Sequence, residues 1–287
     1  YTTSGTYTTT LMNTVNCDSV LTLNLTILQA PSAPKMAAKT LLSGPYDTGT
    51  GLMNDSLRVL GLIPLNEPYT SAPFYKASIG GGGGETTTAS VLAASGANAI
   101  VDWIHVEIRS ASNPAIILAN RNALLQRDGD IVSSTDGISP LEFNALSSGW
   151  YYVSVKHRNH LGIMTAAPVY LQSSAVNIDF TSIALYVSSA ITANTPSKNI
   201  GSTQLMWSGE DNSNKNVKYN GSLNDKDPIL ITVGSGTPNN TVYGYRVEDV
   251  NMDGKVRYNN TDNDRAVILN VVGATTPNKV LSQHTPN

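Results

Sequence analysis

Residues 216–240, NVKYNGSLNDKDPILITVGSGTPNN, align without a gap to residues 255–279, KVRYNNTDNDRAVILNVVGATTPNK, at an offset of 39. The shared frame is Val, Tyr-Asn, Asn-Asp, Ile-Leu, Val-Gly and Thr-Pro-Asn. Self-similarity at a fixed spacing marks a tandem arrangement, so the last third of the chain, 200–287, is read as two copies of one small unit. Each copy reads as an acidic loop followed by a short helix. Asp227 before Pro228 has the form of an N-cap with Pro opening a helix, and Gly234 and Gly273 stand where a helix closes. The β-branched content of ILITV keeps a strand open as the alternative at that point.

The loop that leads into the second copy, DVNMDGKVRYNN at 249–260, has the spacing of a calcium loop. Calcium takes about six to eight oxygens from alternating positions, with Gly at the sharp turn. Asp249, Asn251 and Asp253 fill the first, third and fifth positions, Gly254 the sixth, and the carbonyl of Lys255 the seventh. The twelfth position is Asn260, which offers one amide oxygen in place of a bidentate carboxylate, so closure falls to Asp262 or Asp264. In the first copy the equivalents are Glu210, Asn212, Asn214 and Lys215, without the turn Gly and with one carboxylate fewer. The competing reading is a polar connector whose Asn and Asp side chains bond their own backbone.

Upstream, the pattern is that of strands and turns, as expected where only 14% of residues are charged and Thr, Ser, Asn, Gly and Tyr abound. Residues 1–29 alternate twice, with Leu21, Leu23, Leu25 and Ile27 on one face of the second run, which predicts a hairpin turning between Asn13 and Asp18. A lone hairpin is marginal in water, so its partner is the rest of the chain, a preceding domain or a neighbouring subunit. The Pro-punctuated APSAPK at 30–35 then leads into a β-sandwich over 36–182. Its clearest strands are WIHVEIR, with Ile104, Val106 and Ile108 inward against His105, Glu107 and Arg109, and WYYVSVKH, with Tyr151, Val153 and Val155 inward. SIGGGGGE at 78–85 lacks a following Lys-Ser/Thr and reads as a flexible or closely packed connection rather than a phosphate loop. Cys17, among apolar neighbours, reads as a small buried hydrophobe. The expected fold is mainly β: an N-terminal hairpin, a central sandwich and a C-terminal loop–helix repeat.

Several stretches carry a resemblance. DVNMDGKV resembles the calcium loop of dockerin modules, which pair two intact loops; the first loop here departs from that pattern. SGTYTTTLMNTVNCDSVLTLNLTI is similar to repeat units of very large secreted surface proteins of Bacteroidota. GPYDTGTGLMNDSLR, NAIVDWIHVEIR, ALLQRDGDIV and VKHRNHLGIMT, continuing into NDKDPIL and NDRAVIL, resemble the C-terminal module of the same adhesin-like proteins. The resemblance implies export, an extracellular or outer-surface location and a place at the end of a longer precursor, with no known activity attached. CDSV and NDSL also resemble Asp-Ser/Thr-apolar O-glycosylation sites of that phylum, at Ser19 and Ser56.

Catalytic patterns are scarce. DTGT at 47–50 resembles the aspartic-protease turn, but that chemistry needs two carboxylates and the triplet occurs once. His157 and His160 in KHRNH have no acidic neighbour in sequence and read as a turn bonding backbone carbonyls. A net charge of −3 with no cluster of Lys and Arg argues against nucleic acid, and no apolar run reaches the roughly 18–20 residues of a membrane span. The expectation is a non-enzymatic extracellular structural protein, with calcium as the candidate cofactor, that assembles with copies of itself into a fibre or sheath by strand addition. The alternative is a monomeric adhesin or carbohydrate-binding module for surface glycans, with Trp103, Trp150 and Tyr side chains lining a sugar face.

Overall fold

Two runs of alternation at the N-terminus form β1 (Gly5–Met12) and β2 (Asp18–Leu25), an antiparallel pair in which Tyr7 faces Leu23 and Thr9 faces Leu21. The structure, a computed structural model, describes residues 1–12, 14, 18–27 and 33–286. Cys17, most of the expected turn at 13–18 and the head of the Pro-rich linker lie outside the described residues. The chain divides into two compact units, Tyr1–Ser32 and Ala33–Asn287. The boundary expected between 182 and 200 therefore does not separate compact units, because the sheet and the repeats belong to one body.

The larger unit opens with β3 (Lys35–Lys39), a tight hairpin of β4 (Tyr46–Asp47) and β5 (Leu52–Met53), and two single-turn helices, α1 (Ser56–Val59) and α2 (Ala89–Leu92). The long strands β6 (Ile100–Ser110) and β7 (Ile117–Gln126) follow, then β8 (Asp130–Val132), β9 (Leu141–Glu142), β10 (Gly149–His157), β11 (His160–Met164), β12 (Val169–Leu171) and β13 (Val176–Asp179). These make a nine-stranded sheet in the order β11-β10-β6-β7-β8-β3-β13, with β12 on β10 and β9 on β3. Its pairs are antiparallel except β3 with β13. The fold is mainly β and sandwich-like.

Register in β6 follows from burial. Ile104, Val106 and Ile108 are fully buried in the main core with Met36, Val153 and Val155. Each such side chain contributes roughly 1.5–3 kcal/mol relative to exposure, and a one-residue slip would exchange them for His105, Glu107 and Arg109. Those three polar residues are buried as well. They form a paired layer: Glu107 accepts from Arg109 at 2.7 Å and from Lys156 at 2.8 Å, and His105 meets Asn122 at 2.6 Å. The five-glycine run packs closely on β7. A Cβ at Gly82 would stand 2.2 Å from the carbonyl oxygen of Asn120, and Asn120 binds Ile79 and Ala77 through its side chain. Asp47 of the DTGT stretch closes an Asx turn on Gly49 and Thr50.

After a hairpin of β14 (Lys198–Ile200) and β15 (Thr203–Leu205), the repeat supplies β16 (Asn216–Lys218), α3 (Lys226–Val233) and β17 (Thr241–Tyr243), then β18 (Lys255–Arg257), α4 (Asp264–Val272) and β19 (Val280–Ser282). Both copies choose the helix. Ile229 and Val233, like Ile268 and Val272, stand four apart on one buried face. Asn263 caps α4 by accepting from Ala266 N, and in the first copy Asn224, one residue before the N-cap Asp225, accepts from Asp227 N. The cap expected at Asp227 is thereby corrected: Asp227 lies within the first turn of α3. The strands are exchanged, since β16 pairs with β19 and β18 with β17. The first strand of each copy binds the last strand of the other, and the two share a core built on Val217, Val256, Ile229 and Ile268. Among the described residues no helix is long and apolar enough to cross a membrane.

Candidate functional site

Four left-handed positions of the acidic loops recur at the 39-residue offset: Ser213 and Met252, Lys215 and Gly254, Gly221 and Asn260, Leu223 and Asp262. The two acidic loops thus share one backbone although the first has lost its turn glycine. Gly254 takes its φ of +83° without the steric cost that Lys215 bears at the same left-handed position of the first loop.

The side chains repeat as well. Asp249 accepts from Asp253 N at 3.0 Å and Gly254 N at 2.9 Å, Asn251 accepts from Asp253 N, and Asp253 accepts from Lys255 N. In the first loop Glu210 and Asn212 accept from Asn214 N, and Asn214 accepts from Asn216 N. Each loop is closed by a carboxylate from the head of its helix. Asp264 accepts from Val250 N at 2.9 Å and Arg257 N at 2.8 Å; Asp225 accepts from Asp211 N and Lys218 N. Asn260 is not brought in, since its side chain donates to the carbonyl of Asn239. Asp262 contributes its backbone oxygen to Asn251. Closure falls to Asp264.

Three carboxylates of the second loop are strained by their surroundings. Burial pushes Asp249 up to about 7 against the pull of Arg158, and burial with the nearby Asp249 charge lifts Asp264 well above the ordinary range. Asp253 is raised by burial, opposed by Arg257. Each bonded carboxylate oxygen keeps a second lone pair, so the hydrogen bonds above do not exhaust its acceptor capacity. Among the described residues no three His, Cys, Asp or Glu side chains stand together as a finished metal cage. The oxygens would be completed by the Asn251 amide and the Lys255 carbonyl. In the first loop, Asp211 occupies the place of the core residue Val250. It is buried, and burial together with the nearby Asp225 charge raises its pKa well above normal. Sequence reasoning passed over Asp211 and Asp225, although Asn224-Asp225 and Asn263-Asp264 are one of the shared pairs of the repeat.

Both loops are gripped by the turn between β10 and β11. The carbonyl of Asn159 accepts from Gly209 N and Glu210 N, while its side chain donates to the carbonyls of Val247 and, at 2.7 Å, Asp249. Beside it, Asp102 accepts from Arg158 Nε at 2.9 Å, His157 at 3.1 Å, Tyr245 OH at 2.7 Å and Trp103 N at 2.7 Å. Arg158 also reaches the carbonyl of Arg246 and lies 4.5 Å over the Tyr245 ring. Folding thus supplies the acidic neighbour that KHRNH lacks in sequence. Burial pushes the pKa of both His157 and His160 down, which favours the neutral imidazole.

The assembly residues lie in the other compact unit. Leu21, Leu23 and Ile27 are 59%, 47% and 45% exposed, and Leu25 is half-buried. Ser19 is exposed on β2, and Ser56 is half-buried at the head of α1 beside Asp55, which pairs with Arg58 and Arg127. Trp103 is a core residue whose indole donates to the Pro64 carbonyl, which removes it from any sugar face. Trp150 is 61% exposed and meets Tyr170 edge to face, with ring centroids 5.5 Å apart. No protein-family model, curated protein or solved structure matches the chain.

Asp102 sets an acid limit on the larger unit. Burial pushes its pKa up, but Arg158, His157 and Tyr245 outweigh that and hold it at about 2, against 3.8 in a free side chain. The pKa is lower in the folded state, so its contribution is fully present above the unfolded value and is lost as pH falls through about 2. The shift corresponds to roughly 2 kcal/mol. Urea unfolding between pH 5 and 2.5 is expected to show this loss in the native chain and to lack it in Asp102→Asn, which starts less stable at pH 5. Parallel pH slopes for the two proteins would contradict the assignment.

Proposed function

We propose that the chain is a non-enzymatic extracellular structural protein that assembles into a surface fibre or sheath, the hairpin of one copy adding its strands to the sheet of the next. One observation carries this reading. Leu11, Met12, Val20, Leu21, Leu23 and Ile27 are all exposed on a two-stranded unit, and such a hairpin is marginal in water without cover. Exposed apolar strands are templates for pairing. On the larger unit, β13 is the terminal strand of the sheet order, beside β3. Strand addition there draws affinity from main-chain hydrogen bonds and register from alternate side chains such as Leu21, Leu23 and Leu25. A head-to-tail contact of this kind makes a filament when its rotation does not close into a ring.

In this reading calcium binds the second loop through Asp249, Asn251, Asp253, the Lys255 carbonyl and Asp264, and stiffens the repeat pair. Ser19 and Ser56 are its glycan acceptors. The exposed Trp150–Tyr170 pair favours a second reading, an adhesin that stacks surface glycans on these rings.

Deleting residues 1–29 separates the two. Sedimentation velocity is expected to show large assemblies for the full chain and a folded monomer for the deletion. Assemblies of equal size in both would overturn the fibre, and glycan binding by the monomeric deletion would favour the adhesin. For calcium, thermal unfolding in chelator against millimolar calcium is expected to differ by about 1–3 kcal/mol, and Asp249→Ala is expected to abolish the difference. A melt indifferent to chelator would make the loop a polar connector.

A further inference from the structure

The two acidic loops share a backbone, but one buried position differs in kind. Where the second loop places Val250 in the repeat core, the first places Asp211, which is 4% exposed. Asp211 lies against Asp225, the fully buried N-cap of α3. Asp225 is supplied with donors, accepting from Lys218 N at 2.6 Å and from Asp211 N at 3.2 Å. The carboxyl of Asp211 meets no N–H or hydroxyl donor among the described residues; what it meets is the carboxyl of Asp225.

The charges around the pair share its sign. Glu210 stands beside Asp211 on the loop, held by Asn214 N, and Glu248 approaches from the segment before the second loop, held by Thr232 of α3 at 2.8 Å. The lysines next to Asp225 are turned to other partners: Lys218 Nζ donates to the Ser222 carbonyl, and Lys226 pairs with Asp227. Two buried carboxyl groups in contact cannot both ionise cheaply, and such a pair settles by holding one proton between them. Burial lifts Asp225 to about 8, and burial together with the Asp225 charge lifts Asp211 well above the ordinary range.

We infer that Asp211 and Asp225 share one proton in the folded protein, and that this proton latches the first loop onto the head of α3, tight in acid and loosest in alkali. A carboxyl whose pKa is raised by folding contributes its full stability below the unfolded value of 3.8, and that contribution is lost as pH rises to about 8. Opening the loop would free Gly209 N and Glu210 N from the Asn159 carbonyl, so the latch governs the grip of the sheet on the first repeat. It is independent of the hairpin and of a cation in the second loop.

Hydrogen–deuterium exchange of the full chain between pH 5 and pH 8, read as protection factors over residues 209–226, tests the latch. The native chain is expected to lose protection there by about tenfold per pH unit, the slope of one released proton. Asp211→Asn keeps the shape and donates an amide N–H to Asp225 at every pH, so its protection is expected to stay level. Asp211→Val, which copies the second loop, is expected to melt higher than the native chain at pH 8, with the gain shrinking towards pH 5. Protection of the native first loop that does not change with pH, or that declines in parallel in Asp211→Asn, would overturn the inference. So would a Val variant whose melting temperature differs from the native one by the same margin at both pH values.

Discussion

The carboxamide of Asn159 donates to two carbonyls at the start of the second acidic loop, and its backbone carbonyl receives two N–H groups at the start of the first. One fully buried residue thus meets the equivalent positions Glu210 and Asp249 of both repeat copies. Each buried polar group orphaned by losing this residue would cost about 1–3 kcal/mol, and an apolar replacement would orphan several at once. The neighbours reinforce it. Arg158 carries the link onward to the Arg246 carbonyl and the Tyr245 ring, and Asp102 gathers four donors beneath the turn. The repeats are therefore part of the sheet's own body rather than an appended domain.

The exchange of strands between the copies has the same effect from the other side. With β16 on β19 and β18 on β17, neither copy can complete its pairing alone, and the repeat pair is closed. The hairpin is the opposite case, two strands carrying exposed Leu, Val and Met. A body with its repeats locked and its N-terminal strands uncovered has one obvious place for a joint, and the proposed assembly uses it. The raised carboxylates of the second loop fit that division, because a cation there would relieve mutual repulsion in the locked part and leave the joint untouched.

Much of this was legible in the residues. The hairpin, the alternation of β6 and β10, and both repeat helices follow from period and turn chemistry, and the 39-residue frame carries the backbone of both loops down to their left-handed positions. The buried polar layer was not legible. His105, Glu107 and Arg109 alternate with Ile104, Val106 and Ile108 in the manner of a solvent face, and only tertiary partners such as Lys156 and Asn122 make their burial affordable in free energy. Asn159 and Asp102 carry no local signal for the same reason, since their partners lie far along the chain. Asn260 misled because the twelve-residue spacing of a calcium loop was applied to a loop whose closing carboxylate, Asp264, comes from the helix. The Asn-Asp pair common to both copies was the available clue.

The central claim is that the uncovered hairpin is a joint between copies. Negative-stain electron microscopy of the purified chain in millimolar calcium tests it most directly. The account predicts filaments whose axial repeat matches one copy of the protein. Dispersed single particles across a wide range of concentration would contradict it and turn attention to the exposed Trp150 and Tyr170.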